Sequence, residues 1–336
     1  MLDVKQGLSI LVESAGEYAI YDGGGRETSS YVVAYLKQHN IDHLKYMFVS
    51  HYDEDHIAGL VGVLKTVPTD LIIWPAYETD TAIYTSLVNA VEDQQVAAHY
   101  PVQGETYELG SSSIDVLSAG ETPSASDNNR SVVVKLTCGD FSCLITGDAE
   151  AEEEALLLQE NQPLASNLYI VGHHGSASSS TPEFIDAVNP EVAWISCGLE
   201  NSYGHPTTQT LNTLQQHGIR IFRTDKQGEV TCQSNGEEIR FDQEYCEDWT
   251  AGDSGGPQEV FSIGNNEITD NNGPTEISRT VVSQDLTYVV NTNTKRFHDP
   301  SCNSVQTMKE KNTMYSDQTR DELIADGFKP CGNCHP

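Results

Sequence analysis

Positive charge is scarce in this 336-residue chain: Lys and Arg number 18 against 50 Asp and Glu, for a formal net charge of −32. That deficit argues against loose attachment to nucleic acid through basic patches and suits a soluble protein or a salty habitat. An enzyme that handles phosphate is still allowed, because bound divalent cations supply positive charge locally. Long apolar runs are missing too, so no membrane span is expected. After "MLDVKQG" the alternating "LSILVES" carries an acid and no small-residue cleavage site follows, so no signal peptide is expected either. The chain reads as soluble, or as a soluble part of something larger. A cytoplasmic location is expected, with the periplasm or the extracellular space as alternatives, and nothing in the sequence sets an oligomeric state.

A disulfide framework is also lacking, although there are eight cysteines. Cys302, Cys331 and Cys334 crowd near the C-terminus in metal-like spacing, while Cys138, Cys143, Cys197, Cys232 and Cys246 are scattered. Cys138 and Cys143 flank the turn of a hairpin, "LTCGDFSCLI", and could pair across it. Small buried thiols in a reducing compartment are the better reading.

What is present is a regular alternation of elements over residues 1–245. "LSILVES" and "YAIYDGGG" predict a hairpin, "SSYVVAYLKQHN" a helix, and "LKYMFVSH" a buried strand. "IAGLVGVLKTV" predicts a helix, "DLIIWPAY" a strand and "TAIYTSLVNAVEDQQ" a helix. "SVVVKLTCG" pairs with "FSCLITGD", and "AEEEALLLQE", "STPEFIDAVN" and "TTQTLNTLQQHG" alternate as helices with the strands "NLYIVGHHG", "EVAWISCG" and "RIFRT". Short strands in "GEVTCQ" and "EIRF" close the series. This is the pattern of a layered α/β domain with helices covering two sheets. Residues 246–288 change to Glu, Asp, Asn, Gly and Ser and read as an acidic flexible linker. Its "GDSGGP" spells the segment around a trypsin-like nucleophile, but a double β-barrel bearing base and acid would have to precede Ser254, and the α/β pattern occupies that space. Residues 289–336 form a second unit, with six basic residues against six acids from 291 onward, so the excess negative charge lies elsewhere.

The chemistry concentrates in "SHYDEDHIAG", at the end of a predicted strand. His51, Asp53 and Asp55 would alternate onto one side of a strand tip, and His56 could join them at the turn. Two ligands of each kind suit a pair of divalent metals, His51 with Asp53 and Asp55 with His56. Three later strand ends carry matching residues: Asp148 in "LITGDAE", His173 and His174 in "YIVGHHGS", and His205 in "NSYGHP". Ligands at the same ends of several strands converge in space. Each alone has a bland explanation as a cap, a turn residue or a packed histidine; together they point to a site.

"HYDEDH", "TGD", "HHGS" and "YGHP", in this order, resemble the metallo-β-lactamase fold, a four-layer αβ/βα sandwich. More narrowly they are similar to the nuclease-like domain of ComEC-type DNA-uptake proteins, with "DVKQG", "YDGGG", "DNNRSVVVKL" and "RTDKQGEVT" matching that branch over about residues 1–240. The resemblance implies His51, Asp53, Asp55 and His56 as metal ligands, with Asp53 where the superfamily has a second histidine. It also implies Asp148 as a bridging ligand, and His173 or His174, with His205, completing the sites or contacting phosphate. The superfamily's middle histidine has no counterpart; Asn128 and Asn129 stand there and are taken as substrate contacts. Two cations are expected, zinc or the harder manganese. Asp55 or Asp148 would orient the water, His174 or His205 would donate to the leaving oxygen, and Ser176 with the backbone N–H groups of "GSAS" would hold a non-bridging oxygen. The implied activity is phosphodiester hydrolysis, with nucleic acid as partner and DNA ahead of RNA. The alternatives are a hydrolase of a small phosphodiester or phosphorylcholine-type ester, and a non-catalytic DNA-binding protein.

In the last unit, His298-x3-Cys302 and Cys331-x2-Cys334 spell a four-ligand structural zinc site, with His335 as a substitute for His298. A unit so small needs such a staple. "PSC", "GFKPC" and the final C-x-x-C-x-P resemble the zinc module of Ada DNA-repair proteins. That likeness implies DNA contact, with Lys295, Arg296 and Lys329 as the candidate phosphate ligands. His298 replaces that family's methyl-accepting cysteine, so methyl transfer is not expected.

Overall fold

The computed structural model describes residues 1–122, 124, 126–253, 288–291, 294–298, 305, 313–316, 320, 323 and 328–331. The chain divides into two compact units, Met1–Phe261 and Ser262–Pro336.

In the first unit, β1 (Ile10–Ser14), β2 (Glu17–Tyr21), β3 (Leu44–Phe48), β4 (Thr69–Ile73) and β5 (Ala97–His99) lie side by side in chain order. The first two form an antiparallel hairpin and the rest run parallel to β2. The helices α1 (Ser29–Gln38), α2 (Glu54–Leu64) and α3 (Ala82–Asp93) make the crossovers. The second sheet begins with the antiparallel strands β6 (Thr106–Leu109), β7 (Ser112–Ala119), β8 (Val132–Cys138) and β9 (Phe141–Ile145). Next to β9, parallel to it, run β10 (Leu168–Ile170), β11 (Val192–Ile195) and β12 (Arg220–Arg223), linked by α4 (Ala151–Gln159), α5 (Pro182–Val188) and α6 (Thr208–Gln216). The short helix α7 (Thr224–Gln227) and the hairpin of β13 (Cys232–Ser234) and β14 (Ile239–Phe241) follow.

Strand side chains alternate between faces, and here both faces are apolar. Tyr21, Phe48 and Ile73 point between the sheets, where they share a core with Val134, Ile145 and Ile170. Their chain neighbours Ile20, Met47 and Ile72 point outward into a second core with Val32, Leu60 and Leu87 of the helices. Leu144, Tyr169 and Ala193 do the same on the far side against Leu157, Phe184 and Leu211. Three stacked cores make four layers, helix–sheet–sheet–helix, which is the metallo-β-lactamase sandwich expected from the sequence. All crossover connections deliver the C-terminal ends of β3, β9, β10 and β11 to the same edge.

Two sequence expectations need correction, and the preferred reading of Cys138 and Cys143 as thiols holds. Residues 97–119, assigned no element above, form β5 to β7; β7 is rich in serine, and a bulge between Val116 and Ser118 breaks its alternation. Cys138 and Cys143 are free thiols, because the β8–β9 register sets Cys138 opposite Phe141 and Cys143 opposite Leu136. The linker does not begin at 246. Cys246 N–H donates to Ile221 O (2.8 Å), Gly252 N–H to Pro206 O (2.8 Å), and Asp253 accepts from Thr208 N–H (2.9 Å) and hydroxyl (2.7 Å) at the start of α6. Residues 246–253 are therefore part of the first unit, while Ser254 and the rest of the expected linker to 287 lie outside the described residues.

The second unit contains β15 (Tyr288–Asn291), β16 (Arg296–His298), β17 (Thr313–Ser316) and β18 (Lys329–Pro330) in the order β17-β15-β16-β18. Tyr288, Val290, Phe297 and Leu323 make its small core.

Candidate metal centre

The quoted cluster is not a strand tip. Strand β3 ends at Phe48, Asp53 is the N-cap of α2, and Asp55 and His56 sit on the first helical turn. A helix starts there because Glu54 and Asp55 lie at its positive end, where carboxylates are favoured. The helix then packs on the "DGG" turn so closely that a Cβ at Gly59 would sit 1.7 Å from Gly23 O. Only glycine allows that approach, and it brings His56 against Asp22.

Asp22 is fully buried and was read from sequence only as part of a turn. Its Oδ1 accepts from Ser50 N–H (2.8 Å), and its Oδ2 accepts from Ser50 Oγ (2.6 Å) and His56 Nδ1 (2.8 Å). Ser50 Oγ, donating to Asp22, is left to accept from His51 Nδ1 at 2.9 Å. One carboxylate thereby fixes the tautomer of both histidines, leaving the Nε2 lone pairs of His51 and His56 aimed into the site. Such outer carboxylates commonly orient metal-ligating histidines.

Asp148, buried just beyond β9, stands at the centre. Its Oδ1 lies 3.2 Å from His56 Nε2, off hydrogen-bonding alignment, and its Oδ2 lies 3.4 Å from His174 Nε2, 3.7 Å from His173 Nε2 and 4.0 Å from His51 Nε2. His173 and His174 follow β10 with φ of 49° and 58°. Left-handed backbone at two successive non-glycine residues costs on the order of 1–3 kcal/mol each and clusters at functional sites. His174 Nδ1 donates to Ser196 O at 3.0 Å, which turns its Nε2 toward Asp55 Oδ2 (3.4 Å) and His56 Nε2 (3.2 Å). His205, after β11, lies 6.4 Å from His174 with its ring 27° from parallel, and meets His173 edge-on at 5.5 Å, ring centre to ring centre.

Two groups of donor atoms converge: His51, His56 and Asp148, and Asp55, His56 and His174, each set within 4.8 Å. These differ from the pairing expected above. His56 belongs to both groups, Asp53 to neither (its carboxylate is 59% exposed), and of the two histidines left open above it is His174 that joins a group. His173 instead faces Ser178 Oγ (3.0 Å) and Glu150 Oε1 (3.4 Å), a carboxylate that the sequence reading missed although it stands two residues after Asp148. Among the described residues His51 Nε2, Asp148 Oδ1 and His205 Nδ1 are buried without a hydrogen-bond partner. Orphaned polar atoms are costly unless something meets them. Imidazole and carboxylate donors so arranged fit divalent cations such as zinc or manganese.

The electrostatics agree. Burial works against ionisation of Asp148, yet His174 and His56 hold its carboxyl well below the usual range. Asp55 is held low in the same way against its own burial, first by the hydrogen bond from His174. Burial pulls His56 and His174 down, and Asp148 more than reverses it, raising His56 well above its ordinary value and His174 to about 9. His205 meets burial and two neighbouring histidines and is pushed down to about 4. The pocket thus stores acidic charge at its centre that either protons or cations neutralise.

Asn129 is not placed as a substrate contact. It is buried, its Oδ1 accepts from Glu150 N–H (2.9 Å) at the start of α4, and its Nδ2 donates to Ser124 Oγ (3.1 Å), so it caps a helix. Asn128 reaches Glu150 Oε1 at 3.4 Å, and Ser176 Oγ lies 3.0 Å from Ser178 Oγ; both are half-buried near His173.

A family model of the metallo-beta-lactamase superfamily matches residues 2–199. The chain belongs to that superfamily. It is 32% identical over 228 residues to "Competence protein ComA" of Neisseria gonorrhoeae, covering 67% of this chain and 30% of the relative. To "ComE operon protein 3" of Bacillus subtilis (strain 168) it is 29% identical over 248 residues, 68% of this chain and 32% of that one. The chain thus spans about a third of the length of these relatives. Among solved structures, CmlA, a diiron β-hydroxylase from Streptomyces venezuelae, superposes with TM-score 0.46 at 15% identity over 65% of this chain and 51% of that one. A superfamily hydrolase with His/Asp groups suited to divalent cations accounts for the first unit. No helix among the described residues is long and apolar enough to cross a membrane.

In the second unit, β16 and β18 run parallel with Phe297 beside Pro330, so His298 and Cys331 follow at neighbouring strand ends, both buried. His298 Nδ1 has no hydrogen-bond partner among the described residues. Cys302, Cys334 and His335 lie outside them. Arg296 donates to Pro330 O (3.0 Å) and Lys295 sits 4.8 Å over the Phe328 ring, while Lys329 is exposed.

Proposed function

We propose that the first unit hydrolyses phosphodiester bonds in DNA, using two divalent cations, zinc or manganese, held around His56 and Asp148. The observation that carries this reading is the shared position of His56, locked by Asp22 and common to both donor groups. Cations bound there would lower the pKa of a water and neutralise charge on phosphoryl oxygens. Asp55, kept ionised by its histidines, accepts the proton of the attacking water. His205 lies outside both donor groups, with a free Nδ1, and faces the leaving oxygen. His173, tied to Ser178 and Glu150, lines the side on which Ser176 contacts phosphate. The names of the relatives, a competence protein and a competence-operon protein, favour DNA as the polyanion. The second unit would add a structural zinc on His298, Cys302, Cys331 and Cys334 and a DNA contact through Lys329.

The net charge of −32 favours a second reading, a small phosphodiester, since a long polyanion is repelled outside the site. Chelated protein reloaded with manganese, zinc or magnesium, assayed on linear single- and double-stranded DNA beside Asp148→Asn, separates the two. The expected result is metal-dependent cleavage, with Asp148→Asn losing bound metal and more activity than the roughly 10–100-fold that an outer-shell change costs. Full metal occupancy without DNA cleavage would transfer the proposal to the small ester.

A further inference from the structure

Leu199 and Tyr203 are among the most exposed large apolar side chains of the first unit, at 67% and 68%, and both lie on the loop that carries His205. Nothing about this loop is slack. Asn201 Oδ1 accepts from the N–H groups of Tyr203 (3.2 Å) and His205 (3.0 Å), and its Nδ2 donates to Gly198 O (2.8 Å) and His205 O (2.5 Å). Gly204, at φ 73°, makes the bend between the two rings, and Asp253 packs beneath it, 3.2 Å from where a Cβ would stand. The fold therefore fixes the backbone beneath an aromatic ring that it leaves in solvent, where the ring contributes little to any core.

The ring's position gives it a use. Tyr203 stacks on His205 with centroids 5.7 Å apart and planes 29° from parallel, and His205 stacks on His174 at 6.4 Å and 27°. These three rings form a column running from the donor group of Asp55, His56 and His174 out to solvent. Tyr203, 68% exposed, is its outer end among the described residues.

Resting on the phosphodiesterase reading above, we propose that Tyr203 is the platform on which an unpaired base stacks beside the scissile phosphate, making single-stranded DNA the substrate class. A duplex covers both faces of each base, so only an unpaired or extruded base can meet this ring. Residues 198–205 contain no Lys or Arg, Glu200 and Asp253 are acids, and Lys5, whose backbone lies beside Gly198, is paired with Glu27, so the loop itself offers a strand a ring rather than a positive charge. Stacking on such a ring is worth about 1–3 kcal/mol per base, with little regard for sequence.

The test uses the full chain and three probes: a single-stranded oligonucleotide, its duplex, and the same backbone with abasic residues. Cleavage is measured with manganese, and binding by fluorescence anisotropy without metal. The wild type is expected to prefer the base-bearing single strand over both other probes. Tyr203→Ala should cut the preference over the abasic strand about tenfold to a hundredfold, chiefly in KM and in binding, whereas Tyr203→Phe keeps it. Equal losses of Tyr203→Ala on base-bearing and abasic strands, or no loss, would overturn the platform. Equal wild-type activity on duplex would do so too. A base preference seen in binding without cleavage of any probe would overturn the hydrolase reading and leave the platform standing.

Discussion

Two buried ionic clusters in the first unit invite comparison. Arg223 is 1% exposed, and every nitrogen of its guanidinium has a partner: Nε and Nη2 bind Asp225 bidentately at 2.9 and 2.8 Å, and Nη1 donates to Asp248 O (3.1 Å) and Thr250 O (2.7 Å). The cluster around Asp148 is as deeply buried, yet it leaves His51 Nε2 and Asp148 Oδ1 unmatched and places like groups, His56 and His174, 3.2 Å apart. A satisfied network fixes structure; an unsatisfied one of equal burial is arranged for something that enters it. The Arg223 cluster pins residues 248–250 to α7 with its charged groups, whereas the Asp148 cluster is tied to its surroundings through His56 and His174 Nδ1 and leaves the atoms that face inward unmatched.

The sharpest way to break this contrast is to remove one partner from the satisfied side. Arg223→Met strips the buried Asp225 carboxylate of its bidentate partner and removes the donors to Asp248 O and Thr250 O. We expect a loss of about 3–5 kcal/mol in denaturant-induced unfolding, with the folded fraction still loading its full metal content. A loss under about 1 kcal/mol would show that the pair is ornamental and that burial alone does not separate the two clusters.

The contrast also explains what sequence could reveal. The sequence singles out His51, Asp55, His56, Asp148 and His174, which the structure brings together, because each is a polar residue closely following an apolar strand. The four-layer fold was legible because apolar residues fill both faces of the strands. What stayed hidden depends on contacts between distant segments. Asp22 looked like a turn residue until α2, packing through Gly59, brought His56 onto it. Asn129 looked like a ligand substitute because nothing local shows that its side chain caps α4, two strands later. Asp55 was placed on a strand because alternation and a helical first turn are indistinguishable over four residues. Residues 246–253 read as linker because their anchors are backbone groups, the distant Arg223, and an Asp253 carboxylate that looks like any other acid in an acidic stretch.

The next prediction tests Asp22 as the support of the unsatisfied cluster. Asp22→Asn keeps the shape but weakens the acceptor for Ser50 and His56 and frees both imidazoles to flip. Metal affinity, read by competition with a chelating dye, should fall about 10–100-fold while the unfolding midpoint of the metal-free protein changes little. A large stability loss with unaltered metal affinity would make Asp22 a structural residue of the Arg223 kind.

A third buried group tests the comparison from the middle. Glu154 is 1% exposed and ties the segment after "HHGS" to α4, accepting from Ser180 N–H (2.5 Å), Thr181 N–H (2.9 Å) and the Thr181 hydroxyl (2.7 Å). Burial pushes its carboxyl up to about 7, against the opposing pull of Thr181 and Ser180. The folded state then binds a proton that the unfolded state has released, between the ordinary carboxylate range and pH 7. Stability from this group is greatest on the acid side and falls as pH rises through that window, by at most about 1.4 kcal/mol per pH unit. Glu154→Gln removes the titration, so the variant's unfolding free energy should be flatter than that of the wild type from pH 5 to 7. Equal slopes would mean that the three donors win over burial and keep the carboxylate charged. Glu154 would then stand with Arg223 as a fully satisfied charge, in contrast to the Asp148 cluster, whose own neighbours leave buried charge incomplete.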